Sequence, residues 1–471
     1  MRIAFISANR EQLPDPVIPL GLAYLMGGVP ERHSKKLIDL CWESKPIEAL
    51  KNALGAYAPE FVALGLRNIQ NSDYSGDRDN IDYYTRVVQA IRECSQAPLV
   101  IGGGGFSVIP KGLMEKLRPD FGITGEGESA FLKLLERLEA GRRDAEGIGS
   151  VYWFDRGMLR QNPPAPGFQD LDALPRPDRR QIDARHYKHI GIESIQTKRG
   201  CTLTCDYCTY PTIEGRSVRQ RDPVRVVDEM FEALELHPEI NHFFIVDSNF
   251  NIPPRHAKAI CREMIARSWQ VPWTCYANPL GFDRELAELM AGAKCAGMEI
   301  GSDSGCDEVL DRLRKGFHTD KLQNIRNLSA ETGLKDCHTF ILGTQGETLD
   351  HVRRTLQFLE ELKPFAAILM FWTDDDEALD PVLSAERRVF RRQIDDLLKR
   401  EWENHPRWIV PSQGHNFDVR LFRLLRKRGL HGPLWQHIRS VDRGPESVLP
   451  EIGGVGKVGR RLTHTGRVSA L

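Results

Sequence analysis

The sequence predicts an α/β protein made of two successive parallel sheets and a helical carboxyl-terminal region. Short apolar runs of strand length alternate with amphipathic helical segments over most of the chain. A stretch rich in Pro and Asp interrupts this alternation once, and after about residue 376 the segments become charged and helical. We therefore predict a first domain at 1–140, a linker at 141–187, a second domain at 188–375, and a helical domain with a Gly- and Arg-rich tail at 376–471.

The first domain contains five apolar runs, each followed by a loop rich in glycine or polar residues. The runs are IAFIS, KKLIDL, FVALGLRNI, PLVIGGGGF and DFGITGEGE. Strands of this kind, separated by helices, form a doubly wound parallel sheet, so we predict a Rossmann-like domain. Ligands of such sheets bind outside the carboxyl ends of the strands, which is where the glycine-rich clusters lie.

The second domain contains six strand-like segments with helical segments between them. The strand-like segments are SIQTKRG, HFFIVDSNF, WTCYANP, GMEIGSDSG, HTFILGTQGE and PFAAILMFW. Six βα units predict a partial (β/α)6 barrel, two units short of the eight that close a full one. The segment SVYWFDRGMLR, at the start of the linker, is typical of a hairpin.

Composition and charge exclude several classes of partner. The formal net charge is −1, so no overall field favours nucleic acid or an anionic membrane. The apolar run at the amino terminus is too short for a signal peptide, and no run approaches the roughly 18 apolar residues of a spanning helix. We therefore expect a cytoplasmic protein with neither nucleic acid nor a membrane as partner.

The ten cysteines fall into two groups. Without an export signal a disulfide framework is not expected. Seven scattered cysteines are interpreted as small packing residues: Cys41, Cys94, Cys261, Cys275, Cys295, Cys306 and Cys337. The other three, Cys201, Cys205 and Cys208, lie within eight positions directly after a predicted strand.

The spacing C-x3-C-x2-C of these three residues suits an iron–sulfur cluster. With three ligands, one iron of a [4Fe–4S] cluster keeps an open coordination position. That iron can chelate an amino and a carboxylate group, and the methionine end of S-adenosylmethionine supplies both. A structural zinc site is the alternative, but it needs a fourth Cys or His, and only His186 and His189, both upstream, are near in sequence.

With Tyr207 before the last cysteine, this motif resembles the signature of the radical S-adenosylmethionine superfamily, and the resemblance continues over residues 190–375. It implies that the three cysteines are the catalytic cluster ligands. It also implies that Asp247 and Asn249, in IVDSNFN, bind the methionine amino group.

Two later segments extend the resemblance to the ribose and the adenine of S-adenosylmethionine. MEIGSDSG resembles the ribose region, where Asp303 stands in place of the usual Glu, and FILGTQGET, with Gly343, resembles the adenine region.

The glycine-rich loops of the first domain predict a ligand site of their own. Residues 102–105 are four glycines, which leave the backbone open to close approach by a large ligand, and 125–128 offer a second such loop. Neither G-x-G-x-x-G after the first strand nor a P-loop is present, so a generic flavodoxin-like scaffold is the alternative.

IGGGGFSVIP, TGEGE and LRNI, together with TYPTIEG after the cysteines and DLDALPRPDR in the linker, resemble the cobalamin-binding "class B" radical enzymes. The candidate cobalamin contacts that this resemblance implies are Arg67, Asn68, Gly102, Gly103, Gly104, Phe106, Gly125 and Glu126.

The lower face of the predicted corrinoid has no histidine ligand in this sequence. No D-x-H-x-x-G occurs in the first domain, and His33 is its only histidine. Our hypothesis is that Arg67 or Asn68 lies under the corrin, since a guanidinium has no lone pair to ligate cobalt. The alternative is that Arg67 pairs with a phosphate or a carboxylate.

The resemblance implies a cobalamin-dependent radical methyltransferase that acts on an unactivated carbon of a small-molecule or natural-product substrate. In such enzymes a 5′-deoxyadenosyl radical removes a hydrogen atom and methylcobalamin supplies the methyl group; a donor such as flavodoxin or ferredoxin supplies electrons. The alternatives are another cobalamin radical reaction, namely cyclisation, ring contraction or methylation at phosphorus, and a non-catalytic cobalamin or redox sensor.

The carboxyl-terminal region offers weaker signals about the substrate. The acidic loop 372–377 follows the sixth strand and is either a contact for a cationic substrate or a solvated loop. Three tryptophans are interpreted as core anchors rather than a cap on the site: Trp402, Trp408 and Trp435. A basic run is interpreted as a solvated helix face rather than an anion contact: Arg423, Arg426, Lys427 and Arg428.

Overall fold

The computed structural model describes residues 1–69, 80–372, 381–401, 405, 407–417 and 419–437. Two seven-stranded sheets and a two-stranded ribbon make up its β structure. Part of the acidic loop (373–377), Trp402 and the tail from 451 lie outside the described residues.

The first sheet has the strand order β2-β1-β3-β4-β5-β6-β7. Its strands are β1 (Arg2–Ser7), β2 (Ser34–Asp39), β3 (Phe61–Gly65), β4 (Leu99–Gly102), β5 (Phe121–Ile123), β6 (Val151–Asp155) and β7 (Met158–Gln161). All five predicted strands form and are parallel, while the predicted hairpin, β6 and β7, joins the β5 edge antiparallel. The order reverses between β1 and β3, which is where sheets of this class bind ligands.

Six helices cover both faces of this sheet. They are α1 (Leu20–Gly28), α2 (Pro46–Tyr57), α3 (Ile81–Cys94), α4 (Gly104–Val108), α5 (Pro110–Leu117) and α6 (Glu128–Glu139). The alternation of β1 shows why: Ile3 and Phe5 pack with α1 and α6, whereas Ala4 and Ile6 pack with α2, α3 and α5.

The second sheet is parallel throughout and has the order β16-β15-β14-β13-β12-β11-β8. Its strands are β8 (Ile192–Ile195), β11 (His242–Ile245), β12 (Trp273–Ala277), β13 (Cys295–Asp303), β14 (Lys335–Leu342), β15 (Ala366–Phe371) and β16 (Trp408–Ile409). β9 (Lys198–Arg199) and β10 (Arg219–Gln220) form the separate ribbon. The six predicted strands are confirmed, and β16 is a seventh that the sequence did not predict.

Among the described residues, ten helices accompany the second sheet and the carboxyl-terminal region. They are α7 (Ala184–His189), α8 (Tyr210–Glu214), α9 (Pro223–Leu236), α10 (Pro254–Ala266), α11 (Arg284–Gly292), α12 (Asp307–Arg312), α13 (Thr319–Thr332), α14 (Leu349–Leu362), α15 (Pro381–Glu401) and α16 (Val419–Lys427). Short 3₁₀ turns lie at Leu171–Ala173, Arg179–Gln181, Pro411–Gln413 and Leu434–His437. The fold class, two α/β units followed by a mainly helical region, is confirmed.

The carboxyl-terminal region is fastened to both sheets. Trp408 and Trp435 are buried, as predicted for core anchors, and the Trp435 indole donates to Glu299 Oε1 at 2.9 Å. The predicted solvated basic face is corrected in part, because Arg426 forms a buried ion pair with Asp15 at 2.5 Å. Burial raises the pKa of Asp15 to about 6, and Arg426 opposes this shift.

The seven scattered cysteines are free, like the other three. Six of them are buried packing residues as predicted, and Cys94 is exposed, which corrects that part of the prediction. In the described part of the chain no helix is both long and apolar enough to cross a membrane.

Candidate active site

The cysteine loop lies between β9 and α8, beyond the carboxyl end of β8. Its first cysteine is fixed by a backbone hydrogen bond from Cys201 N to Gly215 O of 3.1 Å. Further along, Asp206 N donates to Leu313 O at 3.1 Å, which ties the loop to the segment after β13. Gly200 has φ +88°, and a Cβ there would lie only 2.1 Å from the Ser217 carbonyl oxygen, so the close return of the chain requires glycine.

The spacing of the three sulfur atoms favours a cluster over zinc. The Sγ atoms of Cys201, Cys205 and Cys208 do not all lie within 4.8 Å of one another. A tetrahedral zinc ion with Zn–S bonds of about 2.3 Å needs its sulfurs about 3.8 Å apart. A four-iron cluster separates its ligand sulfurs more widely, because each binds a different iron. Burial raises the pKa of the Cys205 and Cys208 thiols, and the Lys315 ammonium partly opposes this.

Asp247, at the end of β11, is a buried carboxylate that holds the chain before the cysteines. Its Oδ1 accepts from Thr197 N at 2.7 Å and from Lys198 N at 3.3 Å, and its Oδ2 accepts from the Thr197 hydroxyl. These contacts fix the path from β8 into β9. Asn249, two residues later, is half-buried and directs its amide towards Cys201 Sγ at 3.9 Å.

Tyr207, Asp303 and Lys315 form a buried network beside the cysteines. The Tyr207 hydroxyl donates to Asp303, and the Lys315 ammonium lies 2.6 Å from Asp303 Oδ2 and 3.2 Å from the Tyr207 hydroxyl. Asp303 is 2% exposed and has φ +61°, an uncommon conformation for a residue other than glycine. In this network Asp303, the predicted ribose contact, connects the cysteine loop with the end of β13. Lys315 was not predicted from the sequence.

The loop after β14 contains a carboxylate with one free oxygen. Glu347 Oε2 accepts from Gly343 N at 2.7 Å and from Thr344 N at 2.9 Å, whereas its Oε1 is buried and, in the described part of the chain, has no hydrogen-bond partner. Burial raises the pKa of Glu347. Arg387 of α15 donates to Gly343 O at 3.1 Å, so the carboxyl-terminal region also braces this loop.

Helix α8 connects the cysteines with the glycine loops of the first sheet. A methyl group added at Gly104 would lie 3.5 Å from the Ile213 side chain, and one added at Gly125 would lie 3.4 Å from the Ile213 carbonyl oxygen. Burial, and then the neighbouring carboxylates, raise the pKa of Tyr210, and Arg67 partly opposes them. The predicted cobalamin edge and the cysteine loop therefore face each other across one short helix.

The glycines of the first sheet have a structural role that the sequence analysis did not foresee. Gly103 has φ +104°, and a Cβ there would lie 2.5 Å from Leu66 O; one at Gly105 would lie 3.1 Å from the Asn68 backbone. These glycines let the loops after β3 and β4 touch, and Gly102 ends β4 itself. Phe106 is fully buried against Tyr152, so its ring is a core residue in this structure.

Arg67 and Asn68 lie at the carboxyl end of β3, as predicted. Arg67 is exposed, and in the described part of the chain it forms no ion pair. The Asn68 carbonyl accepts from the Tyr84 hydroxyl. His33 is buried at the opposite edge of the sheet, where its Nδ1 lies 3.2 Å from the amino-terminal nitrogen, so it cannot reach a ligand at the glycine edge.

A buried ionic clasp joins the loop after β5 to the ribbon of β9 and β10, beside the cysteine loop. Arg199 of β9 pairs with Glu128 at 2.6 Å and with Glu126 at 3.4 Å, and Arg219 of β10 pairs with Glu126 at 2.5 Å. All four side chains are at least nine-tenths buried. Glu126, predicted as a cobalamin contact, thus binds the ribbon of β9 and β10. Its partners are about 70 and 90 residues away, so spacing alone could not reveal them.

Comparison with known proteins identifies the class. Residues 195–359 match the Radical SAM superfamily. The tryptophan 2-C-methyltransferase of Streptomyces laurentii is 27% identical over 428 residues, covering 76% of this chain and 70% of the relative. The cytidylyl-2-hydroxyethylphosphonate methyltransferase of Streptomyces wedmorensis is 24% identical over 415 residues, covering 75% of each.

Solved structures agree with these relatives. The radical S-adenosylmethionine methyltransferase TsrM of Kitasatospora setae, solved with cobalamin and a [4Fe–4S] cluster, aligns with a TM-score of 0.69 and 25% identity over 79% of this chain and 72% of that one. The same enzyme, solved with tryptophan and a SAM analog, aligns with a TM-score of 0.70. Together with the geometry of the cysteine loop, these matches show that residues 195–359 form a Radical SAM domain and that the chain resembles cobalamin-dependent radical S-adenosylmethionine methyltransferases.

Proposed function

We propose that this protein is a cobalamin-dependent radical S-adenosylmethionine methyltransferase that methylates an unactivated carbon of a small molecule. One observation carries the proposal: helix α8 packs directly against the glycine loops of the first sheet and follows the three cysteines without a break. A cluster on the cysteines and a corrinoid on the glycine edge would then share one space between the sheets.

The residues present fit all three cofactors. Cys201, Cys205 and Cys208 would hold a [4Fe–4S] cluster, because three cysteines at C-x3-C-x2-C spacing lie within the segment that matches the Radical SAM superfamily. Asn249 and the loop at Gly343 would meet S-adenosylmethionine, and the free buried Oε1 of Glu347 fits an amine donor there.

The edge at Arg67 fits a corrinoid that receives no histidine from the protein, because His33 lies at the other edge of the sheet. Gly102, Gly103, Gly104 and Gly125 would offer backbone to that ligand, with Arg67 or Asn68 at its lower face.

When bound, the cluster and S-adenosylmethionine supply a 5′-deoxyadenosyl radical, and the corrinoid supplies the methyl group. The chain's own residues position these groups and exclude water. Asp247 fixes the strand that leads into the cysteines, and Lys315 fixes Tyr207 through Asp303. The clasp at Arg199 holds the ribbon that leads into the cysteines against the loop after β5.

The cysteine loop is partly exposed at the surface. Thr202, Thr204 and Asp206 of the cysteine loop are exposed, whereas Cys201 is buried. We propose that a small one-electron donor of the flavodoxin or ferredoxin type docks at this side. Because ten free cysteines suit a reducing compartment, we propose that the reaction takes place in the cytoplasm.

Anaerobic reconstitution with iron, sulfide and cobalamin, followed by mass spectrometry, tests the proposal. Tryptophan and cytidylyl-2-hydroxyethylphosphonate begin the substrate panel, because relatives are named for them. We expect 5′-deoxyadenosine and a product heavier than its substrate by one CH₂ unit. A product without that gain would indicate cyclisation or ring contraction instead of methylation. A gain of one CH₂ unit at phosphorus would indicate methylation at phosphorus. Absence of 5′-deoxyadenosine under strong reduction would indicate a sensor.

A further inference from the structure

A second cleft opens at the carboxyl edge of the first sheet, on the face covered by α2 and α3. Its volume is about 610 Å³, within the range of small-molecule sites. It lies between the loop after β1, the start of α2 and the first turns of α3. None of its lining residues is among the candidate contacts for the cluster, S-adenosylmethionine or the corrinoid.

Tyr83 offers this cleft an unused hydrogen-bond donor. The residue lines the cleft and is 7% exposed, and its buried hydroxyl has no hydrogen-bond partner among the residues that the structure describes. Burial raises the pKa of Tyr83 well above its ordinary value, so the hydroxyl keeps its proton at neutral pH. A buried polar atom left unpaired costs stability and is rare in native proteins, which indicates a missing partner that accepts a hydrogen bond.

Two arginines supply positive charge beside this tyrosine. The Arg10 guanidinium lies 5.1 Å from the Tyr83 ring centre and that of Arg86 lies 5.9 Å from it. Within the described ranges neither arginine forms an ion pair, whereas the two lysines of the cleft do: Lys45 with Glu48 at 3.2 Å and Lys51 with Glu93 at 2.5 Å. The uncommitted charge of the cleft is therefore that of the two guanidiniums, which suit phosphate better than ammonium groups do.

The start of α2 adds backbone N–H donors that also favour an anion. Residues 44–48 line the cleft, and the helix begins at Pro46 without any side chain capping its first turn. Free N–H groups at a helix amino terminus, together with the helix dipole, form an anion site. Pro46 and Ile47 also give the cleft an apolar wall for the organic part of a ligand.

We propose that this cleft binds a phosphate ester, with the phosphate between Arg10 and Arg86 and a hydrogen bond from the Tyr83 hydroxyl. Two sources have this chemistry: the phosphodiester in the nucleotide chain of cobalamin itself, and the phosphate of a separate small metabolite. The proposal rests on the cleft alone and stands whether or not the protein methylates a carbon.

Calorimetric titration of the full chain with adenosine 5′-monophosphate, and with adenosine as the matched probe without phosphate, tests this site. We expect the monophosphate to bind at least about tenfold more tightly than adenosine, since charge-assisted bonds to phosphate are the strong ones. Arg10→Gln and Arg86→Gln should each weaken it by about tenfold or more, and Tyr83→Phe by about fivefold. Equal binding of the two probes, or unchanged binding in these three variants, would overturn the proposal.

Two controls separate a binding role from a structural one. Arg92 lies in α3, like Arg86, but pairs with Asp120 outside the cleft. Arg92→Gln should therefore leave the affinity for the monophosphate unchanged. Tyr83→Phe should melt no lower than the wild type without ligand, because it removes an unpaired hydroxyl. A marked loss of thermal stability in Y83F would show that the hydroxyl is structural and contradict the proposal.

Repeating the titration on protein loaded with cobalamin distinguishes the two sources. If loading abolishes binding of the monophosphate, the cleft receives the phosphodiester of the corrinoid. If binding is unchanged, the cleft serves a separate phosphorylated ligand.

Discussion

The carboxyl edges of the two sheets are built in opposite ways. At the carboxyl edge of the second sheet, side chains bind one another: Asp247 binds Thr197, and Lys315 binds Asp303. At the edge of the first sheet, the loops meet through backbone, because Gly103 has no side chain to separate them. The edge of the second sheet should therefore be sensitive to substitutions that remove side-chain atoms. The edge of the first sheet should be sensitive to substitutions that add them.

The clasp between Arg199 and the two glutamates after β5 joins these two edges. This contrast predicts which cofactor site each kind of substitution should affect. Removal of a side chain should disable the cluster half, and addition of a methyl group should disable the corrinoid half while leaving the cluster in place.

The largest effect should follow loss of a sulfur. Cys205→Ser should abolish cleavage of S-adenosylmethionine, because the cluster would lose one of three protein ligands. Formation of 5′-deoxyadenosine with a chemical reductant measures it. Cys94→Ser, which changes an exposed cysteine of α3, is the control and should keep full activity. Retention of iron and cleavage in C205S would break the assignment of the cysteine loop.

The clasp should have the next largest effect. Arg199→Met leaves Glu128 buried without its cation, and breaking a buried pair in this way costs about 3–5 kcal/mol. Denaturant unfolding under oxygen-free conditions measures it. Arg2→Met removes an arginine whose pair with Glu60 is half exposed, so its cost should stay within about 1 kcal/mol. Equal costs for the two variants would mean that the clasp does not hold the ribbon against the loop after β5.

Lys315→Met tests the network that supports the cysteine loop. The variant leaves Asp303 buried without a positive partner, so Tyr207 loses its fixed position. Supporting residues of metal sites typically contribute about 10–100-fold to metal affinity, and we expect iron loss to a chelator to accelerate within that range. Lys315→Arg keeps the charge and should restore most of the retention. Normal retention in K315M would reduce the network to packing.

Gly103→Ala tests the first edge by adding one methyl group. The new Cβ would meet Leu66 O at 2.5 Å in a backbone conformation that favours glycine, and strain of this kind costs about 1–3 kcal/mol. We expect lower cobalamin content at unchanged iron content, both read from the absorption spectrum. Gly112→Ala, in open space on α5, is the matched control. Loss of iron together with cobalamin would contradict the contrast between the two edges.

A further prediction concerns the opposite, amino edge of the second sheet. Burial, and then Arg426, lower the pKa of His242 from 6.5 to about 3. The folded state therefore resists protonation, so this contribution to stability is complete above pH 6.5 and is lost as the pH falls towards 3. Wild type should lose up to about 1.4 kcal/mol per pH unit more than His242→Gln between pH 6 and 4. His318→Gln, at an exposed site, should follow the wild type; parallel curves for wild type and H242Q would contradict the shift.

The sequence predicted the strands of both sheets because each is an apolar run between helical segments, and the cysteine motif because its spacing is local. It did not predict β16, since two residues at the edge of β15 carry no pattern. Nor did it predict Lys315, because a lysine in a charged helix-rich segment shows no sign of burial in sequence. The double role of Gly103 was also missed: the sequence indicates an open backbone but not which loop approaches it.

The metal content of protein purified without oxygen tests the cluster and the corrinoid site most directly. Iron, zinc and cobalt are measured in one sample by mass spectrometry after loading with cobalamin. We expect about four irons and one cobalt per chain, with iron lost and cobalt retained in C205S. Zinc in place of iron would contradict the cluster, and iron without cobalt would contradict the shared site between the two sheets.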